Sequence, residues 1–476
     1  MLFNSLDFLL FFPIVCIVYY AIPSLKWRNL FLLVASYYFY MNWEPVYALL
    51  LLASTGITYL ASFGIDRYEN KKKTILSISI IANLVILFFF KYFNWAADNI
   101  TALMDLAGIS IHIPEFKVLL PVGISFYIFQ ALGYSIDVYR RTIAPEKNFF
   151  RYALFVSFFP QLVAGPIERS TGLLPQFQEK KKFSYDNLMK GLNMMLWGYF
   201  LKLVVADRIA VYVNSIFNNV SMHNGGSSLL ASLLFPFQLY GDFAGYSLIA
   251  IGSAKIMGFT LMQNFRQPYF FSTSIQDYWK RNHISLTTWF MDYIYYSLVG
   301  SSTKLWWWCF SIWFTFFISG FWHGANWTYV FCFSLFGLGL VYGLLTQKKK
   351  KKWEKKHNLK NNALYHGVQR FTTYIILAFI LIFFRANTLE DAFSVISKVF
   401  TDIAAPYKGL RVTEWVLIFL SLAILFVKEF IDEFGLKLHL SQSRYWVVRH
   451  GYVLAMIFFI ILFGKLNGSQ FIYFQF

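Results

Sequence analysis

Residues 305–347 decide the fold: LWWWCFSIWFTFFISGFWHGANWTYVFCFSLFGLGLVYGLLTQ contains no Asp, Glu, Lys or Arg, and Lys304 and Lys348 bound it. A membrane core about 30 Å thick is crossed by roughly 20 apolar residues in a helix. The stretch is therefore long enough for two crossings, and the Gly and Asn residues near its middle suit a turn. The sequence predicts a helical hairpin in a membrane, with both lysines on one side and His323 near the turn.

The composition of the whole chain agrees with this hairpin. The 476 residues carry 42 basic and 24 acidic side chains, a formal charge of +18, yet only 14% are charged, against roughly 25% in soluble domains. Apolar types reach 58% and aromatic types 21%, with a mean hydropathy of +0.50. A soluble globule cannot cover that much apolar surface. We predict an all-α polytopic membrane protein, and exclude disorder, a secreted disulfide scaffold and a nucleic-acid binder.

Apolar stretches predict about eleven to thirteen membrane segments in one membrane domain without a soluble part. Residues 149–164 form a shorter stretch that ends in Pro160, Gly165 and Pro166, and we expect a broken or re-entrant helix there. We divide the domain into N-terminal helices (1–140), a catalytic core (141–346), C-terminal helices (347–470) and an aromatic tail (471–476). The stretches are 6–22, 30–41, 46–64, 74–93, 118–136, 188–206, 229–256, 305–321, 327–345, 371–384, 412–427 and 447–463.

Basic clusters set the predicted orientation, because Lys and Arg concentrate in cytoplasmic loops. They lie at 26–28, 67–73, 140–151, 180–182 and 348–356. This places both termini outside the cytoplasm, with the first 22 residues as a retained span of the inner membrane rather than a cleaved signal. The lysine run within 348–356 is expected to be a solvated loop, with attraction to anionic lipid headgroups as the alternative. Residues 386–411 are expected to form an amphipathic stretch along a surface.

Ionisable side chains in apolar surroundings are functional candidates, and His323 is the strongest of them. It lies between Trp322 and Gly324, with Asn326 close behind. The alternative is an imidazole that merely bonds to a backbone carbonyl. We expect His323 to be catalytic, and Trp322 and Asn326 to line the cavity around it.

His283 is the second candidate, in the polar and aromatic stretch YWKRNHISLT that follows NFRQPY at 264–269. Such a stretch is too polar to lie against lipid, so we expect it to line a cavity or to dip in from the cytoplasm. We expect His283 to be catalytic together with His323, and Asn264 and Arg281 to lie in the cavity wall. An interfacial amphipathic helix is the alternative.

Three further polar residues support weaker predictions. Gln161 begins a helix breaker, QLVAGPIER, which either adjoins the cavity or is a plain helix end. Asp242 lies within an apolar stretch and either orients a histidine or forms a structural ion pair. Lys202 is expected to snorkel towards the membrane surface.

The chain has no nucleotide-binding, serine-hydrolase or zinc-protease motif, and its three cysteines suggest neither a disulfide nor a metal site. Two histidines without a nucleophilic Ser or Cys favour direct transfer assisted by a base. An imidazole near neutral pKa can take a proton from a hydroxyl as that hydroxyl attacks an activated acyl carbon.

Several motifs together resemble the membrane-bound O-acyltransferase (MBOAT) family. They are the WHG at 322–324, the stretch 281–287 with His283, the Gly-Pro pair at 165–166 and NFRQPY. The opening MLFNSLDFLLFFP is similar to the alginate O-acetyltransferase (AlgI-like) branch, whose relatives acetylate cellulose and peptidoglycan. Asn282 stands where that branch usually has Trp.

The resemblance implies a ring of tilted helices around a central tunnel with two histidines at its centre. It implies an acetyl group taken from a cytoplasmic thioester, acetyl-CoA, for an extracytoplasmic polysaccharide, with no permanently bound cofactor and no metal. D-alanyl transfer to teichoic acid from a carrier protein (DltB-like) is the alternative within the enzymes. A transporter or flippase is the alternative outside them.

The last six residues, FIYFQF, carry a further prediction. Residues 464–469 read as a polar hinge, and the basic loop before the last span places the tail outside the cytoplasm. The tail resembles an FxYxxF ending of this branch, formed here by Phe471, Tyr473 and Phe476. That resemblance implies an acyl-Tyr473 intermediate and an extracytoplasmic SGNH-type partner. An aromatic anchor at the membrane surface is the alternative.

Overall fold

A computed structural model describes residues 1–116, 120–163, 165–436, 440, 443–465 and 471–474. Within these ranges every regular element is helical and there is no β-strand. The predicted all-α polytopic membrane fold is confirmed. The predicted total of eleven to thirteen membrane segments and their arrangement in a ring stay predictions. In the part of the chain that the structure describes, six helical segments are long and apolar enough to cross a membrane: Tyr47–Arg67, Glu69–Leu106, Leu305–His323, Trp327–Lys356, Ala363–Arg385 and Trp446–Phe463.

Packing divides the chain into two units. The first comprises Met1–Met195 and Ile249–Met262, and the second Leu196–Leu248 and Gln263–Gln475. The helices, in chain order, are α1 (Leu6–Ala21), α2 (Leu25–Met41), α3 (Tyr47–Arg67), α4 (Lys72–Leu87), α5 (Phe93–Leu106), α6 (Ile124–Tyr139), α7 (Phe149–Ser157), α8 (Phe159–Leu162), α9 (Ser170–Leu173), α10 (Tyr185–Tyr199), α11 (Asp207–Phe217), α12 (Gly225–Ile256), α13 (Ile275–Trp279), α14 (Ile284–Phe290), α15 (Tyr296–Val299), α16 (Leu305–His323), α17 (Trp327–Lys356), α18 (Ala363–Arg385), α19 (Leu389–Thr401), α20 (Val412–Glu433) and α21 (Trp446–Phe463).

Short helical pieces of other pitch join these elements. Three are π-helical, a form with wider turns that often marks functional sites: Phe88–Tyr92, Phe200–Ala206 and Met291–Tyr295. The 3₁₀ pieces among the described residues are single turns or little longer: Glu69–Lys71, Leu174–Gln178, Val220–Met222, Leu359–Asn361 and Ile472–Phe474.

In the first unit, the predicted break in the 149–164 stretch is confirmed. Helix α7 ends at Ser157, Phe158 leaves the helical conformation (φ −54°, ψ 111°), and α8 restarts with Pro160 in its first turn. Proline is tolerated there because its missing N–H would have no intrahelical partner. Ala164, the last residue of the predicted stretch, lies outside the described residues, as do 117–119 at the start of the 118–136 stretch.

Arg28, part of a predicted cytoplasmic cluster, is not a solvated charge. It is 5% exposed, and its guanidinium donates to the carbonyls of Ile22 (2.6 Å), Lys181 (2.6 Å) and Tyr20 (3.0 Å). The side chain therefore fastens the turn between α1 and α2 to the segment before α10.

In the second unit, α16 and α17 form the predicted hairpin. Glycines allow their backbones to approach: a Cβ on Gly320 would lie 2.7 Å from the Cα of Val330, and one on Gly337 would lie 3.1 Å from the Cα of Trp313. The expected loop at 348–356 is wrong, because α17 continues to Lys356. Lysine is a good helix former, and these side chains are mostly exposed on the last turns of the helix.

The amphipathic stretch predicted within 386–411 is present as α19. One side of it buries Ala392, Val395 and Val399, while Phe393 and Phe400 are exposed. Lys398 donates to the carbonyls of residues 220, 221 and 223 at 2.7 to 3.2 Å. This lysine therefore ties α19 to the turn before α12.

Candidate active site

His323 ends α16, at the turn of the hairpin in the second unit. The side chain is 3% exposed, and its ring stacks on Phe333 with 4.0 Å between centroids. Its Nδ1 lies 2.7 Å from the carbonyl oxygen of Ser319. A carbonyl only accepts, so Nδ1 carries the proton and Nε2 keeps a lone pair. The bond to a backbone carbonyl thus prepares the ring to act as a base.

Asn326, predicted to line the cavity, caps the next helix. Its Oδ1 accepts from the backbone N–H of Thr328 at 2.9 Å, and its Nδ2 donates to the carbonyl of Asn387 at 2.9 Å. Both polar ends are therefore engaged in holding the start of α17 against the turn that follows α18. In the structure this residue shapes the hairpin turn beside His323.

His283 precedes α14 with a left-handed backbone, φ 43° and ψ 52°. This conformation is strained for a residue with a side chain, and neighbouring bonds hold it. The N–H of Ile284 donates to the carbonyl of Asn264 at 2.9 Å, and Nδ1 of His283 lies 3.0 Å from Asn264 Oδ1. The short segment from Asn264 therefore fixes both the backbone and the ring of His283.

Asn264 is itself held in one orientation. Its Nδ2 donates to Ser247 Oγ at 3.0 Å, while its Oδ1 also accepts from Ser285 Oγ at 2.9 Å. This assigns the proton of His283 to Nδ1 and the lone pair to Nε2, as in His323. Burial and the nearby His323 lower the pKa of His283 well below its usual 6.5. The ring is therefore neutral at pH 7.

The structure brings His283, His323 and Tyr473 together. Their ring centroids are separated by 6.5 Å between the two histidines, 6.0 Å between His283 and Tyr473, and 5.8 Å between His323 and Tyr473. Phe243 packs against Tyr473 and His283, at 4.4 and 4.5 Å. Trp322 closes the group, 6.3 Å from Tyr473. Residues far apart in sequence thus form one cluster of rings in the second unit.

A small cavity of about 20 Å³ adjoins this cluster, enough for one water molecule. His323 and Tyr473 form part of its wall. Asn282 adds an amide, whose Oδ1 accepts from the hydroxyl of Tyr269 at 2.9 Å. The remaining wall is apolar and aromatic, with Tyr240, Phe243, Phe265, Tyr278, Trp279, Phe333, Phe336 and Phe384 among its residues.

The tail reaches this cluster through one 3₁₀ turn, Ile472–Phe474. Phe471 is fully buried, and its ring stacks on Tyr246 at 4.4 Å. Contacts with protein rings, rather than exposure at a surface, argue against the anchor alternative. Desolvation raises the pKa of Tyr473 well above its usual 10, so the phenol is neutral and needs a base to ionise. Residues 466–469 of the predicted hinge, residue 470, and residues 475–476 with Phe476 of the motif lie outside the described residues.

The role of Lys202 was not predicted from the sequence. It is fully buried and pairs with Asp242 Oδ1 at 2.6 Å and Asp207 Oδ1 at 2.8 Å, so the predicted snorkelling is wrong. The other oxygen of Asp242 accepts from the backbone N–H of Ile472 at 2.7 Å. The pairing could have been suspected, because a lysine and an aspartate deep in apolar stretches need partners.

Arg281 and Gln161 have clear structural partners. The Arg281 guanidinium makes two 3.1 Å contacts with Asp277 and also donates to the carbonyl of Pro268, which fastens the segment before His283. Gln161 belongs to the first unit, is 2% exposed and donates to the carbonyl of Phe155 at 2.7 Å. Among the described residues, no three His, Cys, Asp or Glu side chains group so as to hold a metal ion.

Comparisons with known proteins identify the family. Residues 35–384 match MBOAT, the membrane-bound O-acyltransferase family. The probable alginate O-acetylase AlgI of Pseudomonas putida is 34% identical over 445 residues, 90% of this chain and 88% of that protein. The peptidoglycan O-acetyltransferase of Helicobacter pylori is 31% identical over 83% of this chain and 79% of its own. The teichoic acid D-alanyltransferase of Bacillus subtilis is 27% identical over 52% of this chain and 63% of its own. The chain thus belongs to the membrane-bound O-acyltransferase family and is an acyltransferase.

Proposed function

We propose that the protein takes an acetyl group from acetyl-CoA at the cytoplasmic side and passes it, through Tyr473, to a cell-surface polysaccharide. The approach of Tyr473 to His323, at 5.8 Å between ring centroids, carries this proposal. The relatives named for alginate and peptidoglycan acetylation support a polysaccharide acceptor. Because the chain belongs to an acyltransferase family, we no longer favour the alternative that it is a transporter or flippase.

In the first transfer, Tyr473 Oη attacks the carbonyl carbon of the acetyl thioester. Nε2 of His323 takes the phenol proton, because its Nδ1 already donates to Ser319. The C–S bond breaks, and the departing thiolate takes the proton from the imidazolium. The products are O-acetyl-Tyr473, free CoA thiol and a neutral His323.

His283 is assigned the task of holding the donor. Polarising the thioester carbonyl would require a proton on Nε2, but the bond to Asn264 places that proton on Nδ1. The lone pair on Nε2 can instead accept from an amide N–H of the pantetheine arm of the donor. The two histidines therefore have different roles, one as base and one as positioning group.

In the second transfer, a hydroxyl of the acceptor attacks the acetyl carbon of O-acetyl-Tyr473. The bond between that carbon and the tyrosine oxygen breaks, and the phenolate takes up the proton that the hydroxyl gives away. A phenol of pKa near 10 leaves more readily than a sugar hydroxyl. An SGNH-type partner outside the cytoplasm is assigned this step, with both termini of the chain on that side of the inner membrane.

The experiment uses the purified chain in lipid vesicles with radiolabelled acetyl-CoA, followed by mass spectrometry of the tail peptide. Label is expected on Tyr473 of the parent chain and of the control Tyr342→Phe, whose site is 71% exposed. The Tyr473→Phe variant should carry none, although its ring keeps the contacts with Phe243 and Trp322. Normal acetylation of the polymer by Tyr473→Phe would overturn the tyrosyl step.

A D-alanyl carrier thioester is the competing donor, supported by the likeness to the Bacillus subtilis D-alanyltransferase. The same vesicles, supplied in parallel with acetyl-CoA and with a D-alanyl carrier protein, distinguish the two. If only the carrier protein labels Tyr473, the donor is the D-alanyl carrier rather than acetyl-CoA. The proposed acceptor is then teichoic acid rather than an acetylated polysaccharide.

A further inference from the structure

A buried charge network touches the described part of the tail at Ile472. Asp242 uses both of its oxygens, Oδ1 for Lys202 at 2.6 Å and Oδ2 for the N–H of Ile472 at 2.7 Å. Lys202 also pairs with Asp207 at 2.8 Å. All three charged side chains are at most 5% exposed. The network therefore lies in the protein interior, and the tail supplies one of its hydrogen-bond donors.

The helices that form this network approach closely because of two glycines. A Cβ on Gly241 would lie 2.9 Å from the carbonyl oxygen of Leu201, and one on Gly245 would lie 2.7 Å from that of Gly198. These contacts bring α12 against the π-helical stretch Phe200–Ala206, which carries Lys202. The close approach is what places the ammonium beside Asp242.

One turn of α12 presents several contacts to the tail. Asp242 bonds to Ile472, Phe243 packs against Tyr473, and Tyr246, four residues after Asp242 and on the same side of the helix, stacks on Phe471. The three contacts act on consecutive tail residues. The bond to Asp242 is the polar one, so it sets the register of the tail where the ring contacts alone would permit sliding.

Burial of the carboxylates explains why the bond to the tail matters. Asp242 and Asp207 both pair with Lys202, and all three charged groups lie in the interior. A buried charge without hydrogen bonds is costly, and the N–H of Ile472 is one of the donors that stabilise it. Docking of the tail thus lowers the free energy of the network, and the network holds the tail.

We propose that Asp242, supported by Lys202, is the positioning residue that docks the C-terminal segment and keeps Tyr473 within reach of the two histidines. Ile472 is adjacent to Tyr473, so its N–H fixes the backbone within about 3.8 Å of the reacting residue. The role of Tyr473 in this inference rests on the proposed function. The docking itself does not, and it can be measured without any activity.

The matched variants are Asp242→Asn and Asp207→Asn. Each removes one negative charge next to Lys202, and Asp242 is the one whose bond to the tail is seen among the described residues. An asparagine at 242 has one oxygen and one NH₂ where the aspartate has two oxygens, so it cannot give Lys202 and the N–H of Ile472 an oxygen each. We measure hydrogen exchange of the tail peptide by mass spectrometry, together with thioester cleavage and acylation of Tyr473.

In the parent chain the amide of Ile472 should exchange slowly. In Asp242→Asn the tail peptide should exchange on the order of tenfold faster or more, and acylation of Tyr473 should fall on the order of 10²-fold, as expected for a misplaced reacting group. Cleavage of the thioester by water should persist, because both histidines are intact. Asp207→Asn should show smaller changes in tail exchange and acylation.

Two results would overturn the inference. The first is fast exchange of the Ile472 amide in the parent chain, a measurement that does not depend on the folding of any variant. The second is equal exchange of the tail peptide in the two variants. Failure of the parent chain to be acylated on Tyr473 would instead overturn the proposed function. In that case the exchange data would still decide whether Asp242 docks the tail.

Discussion

His323 and Tyr473 lie with their ring centroids 5.8 Å apart, and both form part of the wall of one small cavity. The pair joins the end of a membrane helix to the last described turn of the chain. Since Nδ1 of His323 is occupied by Ser319, the remaining nitrogen is the one that can serve the phenol. A side chain whose pKa is raised by desolvation requires such a base before it can attack.

Replacing His323 by Ala is expected to lower acetyl transfer by about 10² to 10⁴-fold, the usual contribution of a general base. Protein abundance should stay near that of the parent chain. The control is His357→Ala, because His357 also bonds through Nδ1 to the carbonyl four residues earlier, 3.0 Å away, but is exposed. Transfer rates per amount of purified protein check this, and a substantial residual rate in His323→Ala would remove the residue from the mechanism.

Replacing His283 by Ala should impair donor binding and transfer together, since this ring is assigned to the donor. Combined with His323→Ala, the loss should be smaller than the product of the two single losses, because groups that act in one step are not additive. Donor affinity and single-turnover rates of the three variants test this. Loss of donor binding only in the double variant would contradict the assigned roles.

Affinity for the thioester donor should stay constant as the pH falls through 6.5. A histidine whose pKa is lowered remains neutral below the usual value of 6.5, so the Nε2 lone pair of His283, which is assigned to the donor, is lost only at lower pH. The measurement is donor binding to the protein in vesicles across this pH range. A weakening of binding centred at or above pH 6.5 would mean that His283 titrates as an ordinary histidine, contrary to this prediction.

The hairpin of α16 and α17 could be predicted because local information defines it: apolar length, bounding lysines and small residues at the turn. The left-handed backbone of His283 and its bond to Asn264 could not, since they depend on two segments that meet only in the folded chain. The same holds for Lys202. Its apolar surroundings suggested snorkelling, whereas a close approach of two helices supplies Asp242 as a partner.

The tail shows most clearly what could not be predicted from the sequence. Its aromatic residues left a membrane anchor open as the alternative to a reacting segment, because composition does not say what a Phe or Tyr packs against. The contacts of Phe471 with Tyr246 and of Ile472 with Asp242 show that this part of the tail packs against protein groups, while the reaction of Tyr473 stays a prediction. Glu429 was not recognised from the sequence at all, although it is fully buried.

Glu429, on α20, is expected to hold the segment that lines the cavity. Its two oxygens accept from the N–H groups of Tyr269 and Phe270 at 2.8 and 2.7 Å. Glu429→Gln would turn an amide NH₂ towards one of these donors, leaving a buried N–H unpaired at a cost of about 1–3 kcal/mol. We expect a lower melting temperature and slower transfer, because Tyr269 forms part of the cavity wall.

Glu433→Gln is the matched control for this prediction, one turn further along α20. Its carboxylate pairs with Arg370, and its side chain is 21% exposed, so water can replace the lost interaction and the cost should be about 1 kcal/mol or less. Thermal unfolding in detergent and transfer rates of both variants give the comparison. Equal melting temperatures would show that the two bonds to Glu429 do not stabilise the 269–270 segment. The proposal that Glu429 holds the cavity wall would then be wrong.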